Sequence, residues 1–183
     1  MSLTKNHLLL VTVMLLLVAA SILIMRKPYT YLKVGDRAPG FQAKAITSSG
    51  QTATLQSSDY QGRKLVLYFY PYNNTPYCTQ QAKSLSESYS ELQKQGYEVI
   101  GVSSNSLASH QRFREKYNIP FPLISDPTHT LQDSYGVWRR RFFFWGSTRR
   151  ITFVIDAEGK IIQIIDKVKV GTHAAQILTG TTP

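Results

Sequence analysis

The segment Lys64–Tyr70 constrains the fold of this chain more than any other stretch. After its lysine it is continuously apolar and aromatic, without the polar alternation of a strand that faces water on one side. Such a run predicts a central strand covered on both faces, as parallel strands of α/β proteins are. At 183 residues the chain can form one well-buried domain and a terminal appendage, but not two full domains.

The segments after this strand alternate between helix and strand signals. From Thr79 to Gln95, apolar residues recur at three- and four-residue steps and predict a helix that Gly96 ends. Tyr97–Ser103 predicts a second buried strand. Ser106–Tyr117 predicts a second helix, with its first residue as the N-cap. We therefore expect strands and helices to alternate through the middle of the chain.

Both ends of this region predict hairpins. Gly35–Ser58 alternates around the turn signal Ser49–Gly50, and the turn Asp156–Gly159 separates Arg150–Ile155 from Lys160–Ile165. The remaining predicted elements are a strand at 121–124, a short helix at 130–135 and a terminal helix at 173–178. Together these elements predict a three-layer α/β sandwich in which helices flank a mixed sheet.

An apolar run from Leu8 to Met25 predicts an N-terminal transmembrane helix. Eighteen residues at helical rise span roughly 27 Å, close to the about 30 Å of a bilayer's hydrocarbon core. A cleaved signal peptide is the alternative, but the apolar residues continue beyond its cleavage site at residues 18–20. We expect an anchor at 1–27, a linker at 28–34 and a folded domain at 35–180.

The anchor implies a single-pass membrane protein. Basic residues on both sides of the apolar run leave the orientation open. We favour the extracytoplasmic, periplasmic side, because a short basic leader before an apolar stretch is the layout of an export signal. The net charge of +10 favours anionic lipid headgroups over nucleic acid, for which no motif is present.

The cysteine and histidine content limits the chemistry that we expect. One cysteine excludes an internal disulfide and a cysteine-rich zinc site, and no metal-ligand spacing occurs, so we expect neither metal nor cofactor. His110, His129 and His173 fall in different predicted elements without a partner at ligand spacing. We assign them surface or helix-end positions.

The single cysteine, Cys78, directly follows the predicted central strand and lies at the start of the next helix. Backbone N–H groups and the helix dipole favour the thiolate there, which is the nucleophilic form of the side chain. A lone cysteine is also often a small buried hydrophobe. The neighbouring residues decide between these two readings.

The residues around Cys78 resemble the active-site motif of peroxiredoxins, most closely the bacterioferritin-comigratory or PrxQ branch. The match comprises Pro71, Thr75, Pro76 and the cysteine, in the order Pro-x-x-x-Thr-Pro-x-Cys-Thr. Three further stretches resemble the family's opening, its middle strand and the strand that carries its catalytic arginine: Val34–Phe41, Phe121–Asp126 and Arg150–Asp156. Four matches at compatible spacing are more specific than one motif. The resemblance implies a thioredoxin-like fold and a thiol-dependent peroxidase.

The resemblance also implies roles for the matching residues. Cys78 attacks hydrogen peroxide or an organic hydroperoxide and becomes a sulfenic acid. Arg150 holds the thiolate and the developing negative oxygen, because its guanidinium is always charged and offers several donors. The Thr75 hydroxyl bonds the peroxide, and Pro71, which has no N–H, shields the sulfur. Arg149 is the competing arginine, but strand alternation directs the two side chains to opposite faces.

Two positions depart from the family pattern. Lys83 occupies the position at which PrxQ relatives often carry a resolving cysteine, so the sulfenic acid requires an external thiol such as thioredoxin, glutaredoxin or glutathione. Gln81, which with Pro76 supports the site, replaces a glutamate that orients the arginine in many peroxiredoxins. We expect a monomer or a homodimer. The loop between Trp138 and Arg150 is rich in arginine and aromatic residues.

Two alternatives remain open at this stage. The same fold occurs in thioredoxin-like disulfide exchangers, but this chain lacks the Cys-x-x-Cys pair of those enzymes. An inactive peroxiredoxin-like binding module is the second alternative, because the resolving cysteine is absent and Gln81 carries no charge.

Overall fold

The computed structural model describes residues 10, 12–14, 32–141 and 145–180. The fold below belongs to the compact unit formed by residues 31–183. Its strands are β1 (Gln42–Ile46), β2 (Thr52–Gln56), β3 (Lys64–Phe69), β4 (Tyr97–Ser103), β5 (Leu123–Ser125), β6 (Trp138–Arg141), β7 (Trp145–Thr148), β8 (Ile151–Ile155) and β9 (Ile161–Ile165). Its α-helices are α1 (Pro76–Glu87), α2 (Tyr89–Lys94), α3 (Leu107–Tyr117), α4 (Thr130–Ser134) and α5 (His173–Leu178). Two short 3₁₀ helices lie at Ser57–Tyr60 and Val170–Thr172.

Among the described residues, seven strands form one mixed sheet in the order β2-β1-β5-β4-β3-β8-β9. The pairs β3–β4 and β4–β5 are parallel, and the other pairs in this sheet are antiparallel. The sheet order is that of a thioredoxin-like α/β fold with flanking hairpins. The predicted mixed sheet is confirmed.

Strand β3 is covered on both faces, as its composition predicts. Val66 and Tyr68 belong to one core, which also contains the buried residues of α1, α2, α3 and α5. Leu65, Leu67 and Phe69 belong to the core on the opposite face, to which α4 contributes. Successive side chains of a strand point to opposite faces, so an uninterrupted apolar run supplies both cores at once. These two cores and the sheet form the three layers.

The helix predicted from Thr79 to Gln95 begins earlier and is broken. Helix α1 begins at Pro76, because the preceding Thr75 is extended and a proline suits the first helical position. Ser88, with φ −100° and ψ 9°, leaves helical geometry and separates α1 from α2. Apolar periodicity continues across this break, so the pattern alone cannot reveal it. Gly96 ends the segment with φ +80°, as predicted.

Other predicted elements are confirmed with small shifts of their ends. The Ser106 hydroxyl accepts a hydrogen bond from the Ser109 N–H at 3.3 Å and so caps α3. The turn between β1 and β2 contains Gly50 at φ +82°, and α5 spans the predicted residues 173–178. In contrast, the predicted loop between residues 138 and 150 contains the antiparallel strands β6 and β7.

The expected transmembrane helix requires a correction. No helix among the described residues combines the length and the apolar character needed to cross a bilayer. The run at residues 8–25 lies outside the described residues, apart from positions 10 and 12–14. The membrane anchor, and the single-pass extracytoplasmic location drawn from it, are therefore not retained. The domain limits at residues 27, 34 and 180 stay a prediction.

Replacing Gly101 by alanine is expected to destabilise the fold. Gly101 pairs with Tyr68 on the neighbouring strand, and the Tyr68 side chain lies against it. A Cβ on Gly101 would lie 2.7 Å from the Tyr68 hydroxyl oxygen and 2.8 Å from Leu123 Cδ2. We expect G101A to lower the free energy of unfolding by about 1–3 kcal/mol, measured by urea denaturation. In the control G171A the new Cβ meets only the flexible end of Gln80, so a change within about 0.5 kcal/mol is expected. Equal effects of the two substitutions would contradict this account.

Candidate active site

The loop between β3 and α1 places Cys78 in the first turn of a helix. Thr75 is the N-cap, with φ −82° and ψ 150°, and Pro76 is the first helical residue. Cys78 is therefore the third residue of α1, where backbone N–H groups lack intrahelical acceptors. Its side chain is 2% exposed and belongs to the core beneath α1. The thiol lies at the positive end of the helix and is shielded from bulk water.

Arg150 is the charged partner of this thiol. Its Nη2 donates to Cys78 Sγ at 3.1 Å, and its Nη1 donates to Gln81 Oε1. The pairing of β3 with β8 explains this contact, because Phe69 lies opposite Ile151. Arg150 directly precedes β8 and so emerges beside the loop that leads to the cysteine. A guanidinium at this distance stabilises negative charge on the sulfur.

Gln81 holds Arg150 although it carries no charge. It is fully buried on α1, where its Oε1 accepts from the guanidinium while its Nε2 bonds His173 Nδ1 at 3.1 Å. The other ring nitrogen of His173, Nε2, bonds Thr152 Oγ1 at 3.1 Å. A chain of hydrogen bonds therefore runs from strand β8 through α5 and α1 to the arginine.

Thr75, Pro76 and Pro71 lie in or beside the loop before Cys78. The Thr75 hydroxyl donates to the Tyr72 carbonyl at 3.2 Å. Pro71 is half-buried at the start of the loop. The structure thus joins three of the sequence-predicted residues, Cys78, Arg150 and Gln81, by hydrogen bonds, and the other three neighbour the cysteine along the chain.

A second buried network holds this loop against α3. The Tyr70 hydroxyl donates to Asn73 Oδ1 at 2.8 Å, and Asn73 Nδ2 donates to Ser109 Oγ at 3.0 Å. The Asn73 backbone N–H donates to Asn105 Oδ1 at 3.0 Å. His110 Nδ1 lies 3.3 Å from both the Tyr70 hydroxyl and Asn73 Nδ2. These bonds fix the backbone that carries Thr75.

The sequence predicts surface or helix-end positions for the histidines, and the surface position is wrong for two of them. His173 does lie at a helix end, because it is the first residue of α5. His110 and His173 are both fully buried. Burial lowers the pKa of His110 to about 4, and burial together with the nearby Arg150 charge lowers the pKa of His173 to about 3. His110 shares a helix face with Phe113, and this three-residue spacing could have indicated burial. No local sequence pattern indicates that His173 is buried. His129 lies at the N-cap of α4, a helix-end position as expected.

Tyr68 completes the interior beneath the cysteine. Its ring stacks on Tyr70 at 5.3 Å between centroids and meets the His173 ring edge-on at 6.4 Å. Burial raises the pKa of Tyr68 well above its ordinary value, so the phenol remains neutral. Among the described residues, no cluster of three or more histidine, cysteine or acidic side chains could hold a metal ion. Cys78 and Arg150 give this site a buried thiol beside a fixed cation.

Comparisons with known proteins agree with this geometry. The AhpC/TSA family model matches residues 34–164. A curated relative from Coxiella burnetii, a putative peroxiredoxin bcp, is 39% identical over 150 residues, covering 80% of this chain and 97% of the relative. The family match extends from before β1 into β9, and it includes Pro71, Thr75, Cys78, Gln81 and Arg150.

Solved structures share the fold. Peroxidoxin BcpB from Mycobacterium tuberculosis superimposes with a TM-score of 0.72 at 27% identity, covering 81% of this chain and 96% of that protein. The bacterioferritin comigratory protein of Xanthomonas campestris, described for its alkyl peroxide reduction activity, gives a TM-score of 0.67 at 31% identity. That match covers 76% of this chain and 88% of the Xanthomonas protein.

The buried histidines predict a loss of stability in acid. Their folded-state pKa values of about 4 and about 3 lie below the usual value of about 6.5, so the unfolded chain binds more protons between these limits. The contribution of the two neutral histidines to the free energy of unfolding is fully present above about pH 6.5 and is lost as the pH decreases. We expect each histidine to contribute a loss on the order of 3 kcal/mol by pH 4.

Urea denaturation at pH 7 and pH 4 measures this loss. In H173N the group that titrates at position 173 is gone, so stability should depend less steeply on pH than in the parent protein. An identical pH dependence for the two proteins would show that His173 is not the source.

Proposed function

Because this chain belongs to the AhpC/TSA family, and within it to the peroxiredoxins of the Bcp and PrxQ type, we propose that Cys78 and Arg150 together form its peroxide-reducing centre. The chain is a thiol-dependent peroxidase with a single peroxidatic cysteine. The observation that carries the proposed centre is the 3.1 Å contact between Arg150 Nη2 and Cys78 Sγ at the first turn of α1. This contact provides charge stabilisation at the sulfur.

The proposed reaction begins with the thiolate of Cys78. Its sulfur attacks the terminal oxygen of a hydroperoxide, so an S–O bond forms while the O–O bond breaks. The leaving alkoxide takes a proton and departs as an alcohol, or as water when the substrate is hydrogen peroxide. The sulfur is oxidised to a sulfenic acid and the peroxide is reduced. Arg150 stabilises the charge that moves from sulfur to the leaving oxygen.

Loop residues supply the remaining proposed roles. Thr75 can turn its hydroxyl from the Tyr72 carbonyl towards a bound peroxide oxygen, since a hydroxyl both donates and accepts. Pro71 excludes water from the sulfur without adding an N–H that would need a partner. The Asn73 network holds both residues in register with Cys78.

Reduction of the sulfenic acid requires a thiol from another molecule, because Cys78 is the only cysteine of the chain. An external thiol attacks the oxidised sulfur, forms a mixed disulfide and releases water. A second thiol then attacks that disulfide and restores the Cys78 thiolate. Thioredoxin, glutaredoxin and glutathione are the reductants we propose. The comparisons do not favour the disulfide exchanger or the inactive module.

The exposed aromatic residues beside the site favour organic hydroperoxides as substrates. Tyr72 and Tyr77 are 51% and 69% exposed, and both flank the loop that carries Thr75. Exposed rings next to this loop offer apolar surface to an alkyl group. The related Xanthomonas protein is described for alkyl peroxide reduction, which supports the same substrate class here.

Replacing Arg150 by methionine is expected to slow the oxidation of Cys78 by about 100-fold or more, because the sulfur and the leaving oxygen lose their fixed cation. Stopped-flow fluorescence after one addition of peroxide measures this rate. The matched control R149M removes a neighbouring arginine whose backbone N–H bonds the Val137 carbonyl, and its rate should stay within about twofold of the parent. Equal rates for R150M and R149M would refute the assignment.

Intact-mass spectrometry tests the requirement for an external thiol. After one equivalent of peroxide, the full chain should gain one oxygen on Cys78, and dimedone should trap it. Addition of thioredoxin or glutathione should return the mass to that of the reduced chain. C78S should show no gain. A C78S variant that consumed peroxide as fast as the parent would rule out the peroxidase centre proposed here.

A further inference from the structure

Four side chains extend the proposed centre away from the sulfur in one hydrogen-bonded series. Arg150 donates to Gln81 Oε1, Gln81 Nε2 lies 3.1 Å from His173 Nδ1, and His173 Nε2 lies 3.1 Å from Thr152 Oγ1. Gln81, His173 and Thr152 are each fully buried. Buried polar groups without competing water must satisfy one another, so the direction of every bond in the series matters.

The chemistry of the arginine sets those directions. A guanidinium has only donors, so the Gln81 atom that faces it must be the carbonyl oxygen. The Gln81 amide nitrogen then faces His173 Nδ1, and an amide NH₂ group only donates. His173 Nδ1 must therefore accept, which leaves the ring proton on Nε2, where it is donated to Thr152 Oγ1.

We propose that His173, held neutral with its proton on Nε2, is a positioning residue that keeps the Gln81 carbonyl directed at Arg150 and so keeps the guanidinium on Cys78. The proposal rests on the proposed peroxidase function, because it assigns His173 a part in that reaction. His173 does not touch the sulfur. It acts through Gln81, whose amide would otherwise be free to rotate.

The alternative arrangements of this series are unfavourable. Rotation of the Gln81 amide by 180° would direct its NH₂ group at the guanidinium donors and its oxygen at the His173 Nδ1 lone pair. With the Gln81 amide in its observed orientation, a proton on His173 Nδ1 would face the Gln81 NH₂ group, so that two donors would meet. Either change leaves two buried groups of the same kind in contact, which costs more than a lost hydrogen bond in water. The low pKa of His173 agrees with a neutral ring.

The proposal also accounts for glutamine rather than glutamate at position 81. A carboxylate there would accept from Arg150 with one oxygen, and its second oxygen would need a donor from His173. The histidine would then have to carry its proton on Nδ1 or become doubly protonated. Gln81 and the neutral Nε2–H form of His173 are therefore a matched pair.

Nitrogen NMR of the full chain with labelled histidine tests the assigned tautomer. The His173 ring should show a protonated Nε2 and an unprotonated Nδ1, and H173N should identify its signals by their loss. In Q81E the Nδ1 signal should move to the protonated range. A proton on Nδ1 in the parent protein, or an unchanged Nδ1 signal in Q81E, would overturn the proposal.

Kinetics test the positioning role. In H173L no acceptor faces Gln81, and we expect Cys78 to be oxidised about 10-fold more slowly in a single turnover. In H173N the amide oxygen can take the place of Nδ1, so most of that loss should be restored. The control S84A removes only the hydroxyl that accepts from the Ala174 N–H at 3.4 Å and leaves all four side chains of the series in place, so its rate should stay within about twofold of the parent.

These experiments distinguish a failure of the proposed peroxidase function from a failure of the positioning role of His173. A parent protein that reacts no faster than free cysteine would refute the proposed function, while the NMR result would still decide the tautomer. A fast parent with an equally fast H173L would refute only the positioning role. If H173L does not fold, the NMR signal of Q81E decides: a protonated His173 Nδ1 in Q81E supports the pairing of these two residues, and an unchanged signal refutes it.

Discussion

The antiparallel pairing of β3 with β8 is the contact on which the site depends. It aligns Phe69 with Ile151 and so brings the residue before β8, Arg150, to the loop that follows β3. Cys78 and Arg150 are 72 positions apart in sequence, and this pairing places their side chains 3.1 Å apart. The same pairing aligns Tyr68 with Thr152, whose hydroxyl bonds His173 Nε2. Strand β3 therefore helps to position the last residue of the hydrogen-bonded series that starts at Arg150.

The site is built from buried polar groups, which makes it both rigid and sensitive to acid. Two networks reach it from different sides: the Asn73 bonds hold the loop, and the His173 bonds hold the arginine. Each network contains a buried histidine that must stay neutral, so a proton on either one disfavours the folded chain. The buried histidines that hold the site in place therefore also narrow the pH range in which the chain stays folded.

Much of the fold could be predicted, because local patterns carry it. The apolar run at 64–70, the cap at Ser106 and the turn at Gly50 each reflect residues adjacent in sequence. The break at Ser88 and the hairpin of β6 and β7 were missed, since apolar periodicity continues through the first and the composition of the second resembles a loop. The anchor expected from residues 8–25 was wrong: apolar length alone carried that prediction, and no described helix meets both requirements of a span.

The sequence by itself determined the central strand, the order of the elements, and the identity of Cys78 as the only thiol, because these depend on composition and on neighbours along the chain. It also pointed to Arg150 through a motif. Only the tertiary structure decided that Gln81 holds this arginine without a charge and that His173 holds Gln81 in turn. The bond between positions 81 and 173 joins α1 to α5, and the direction of a hydrogen bond between distant helices is set by the packing that excludes water from it.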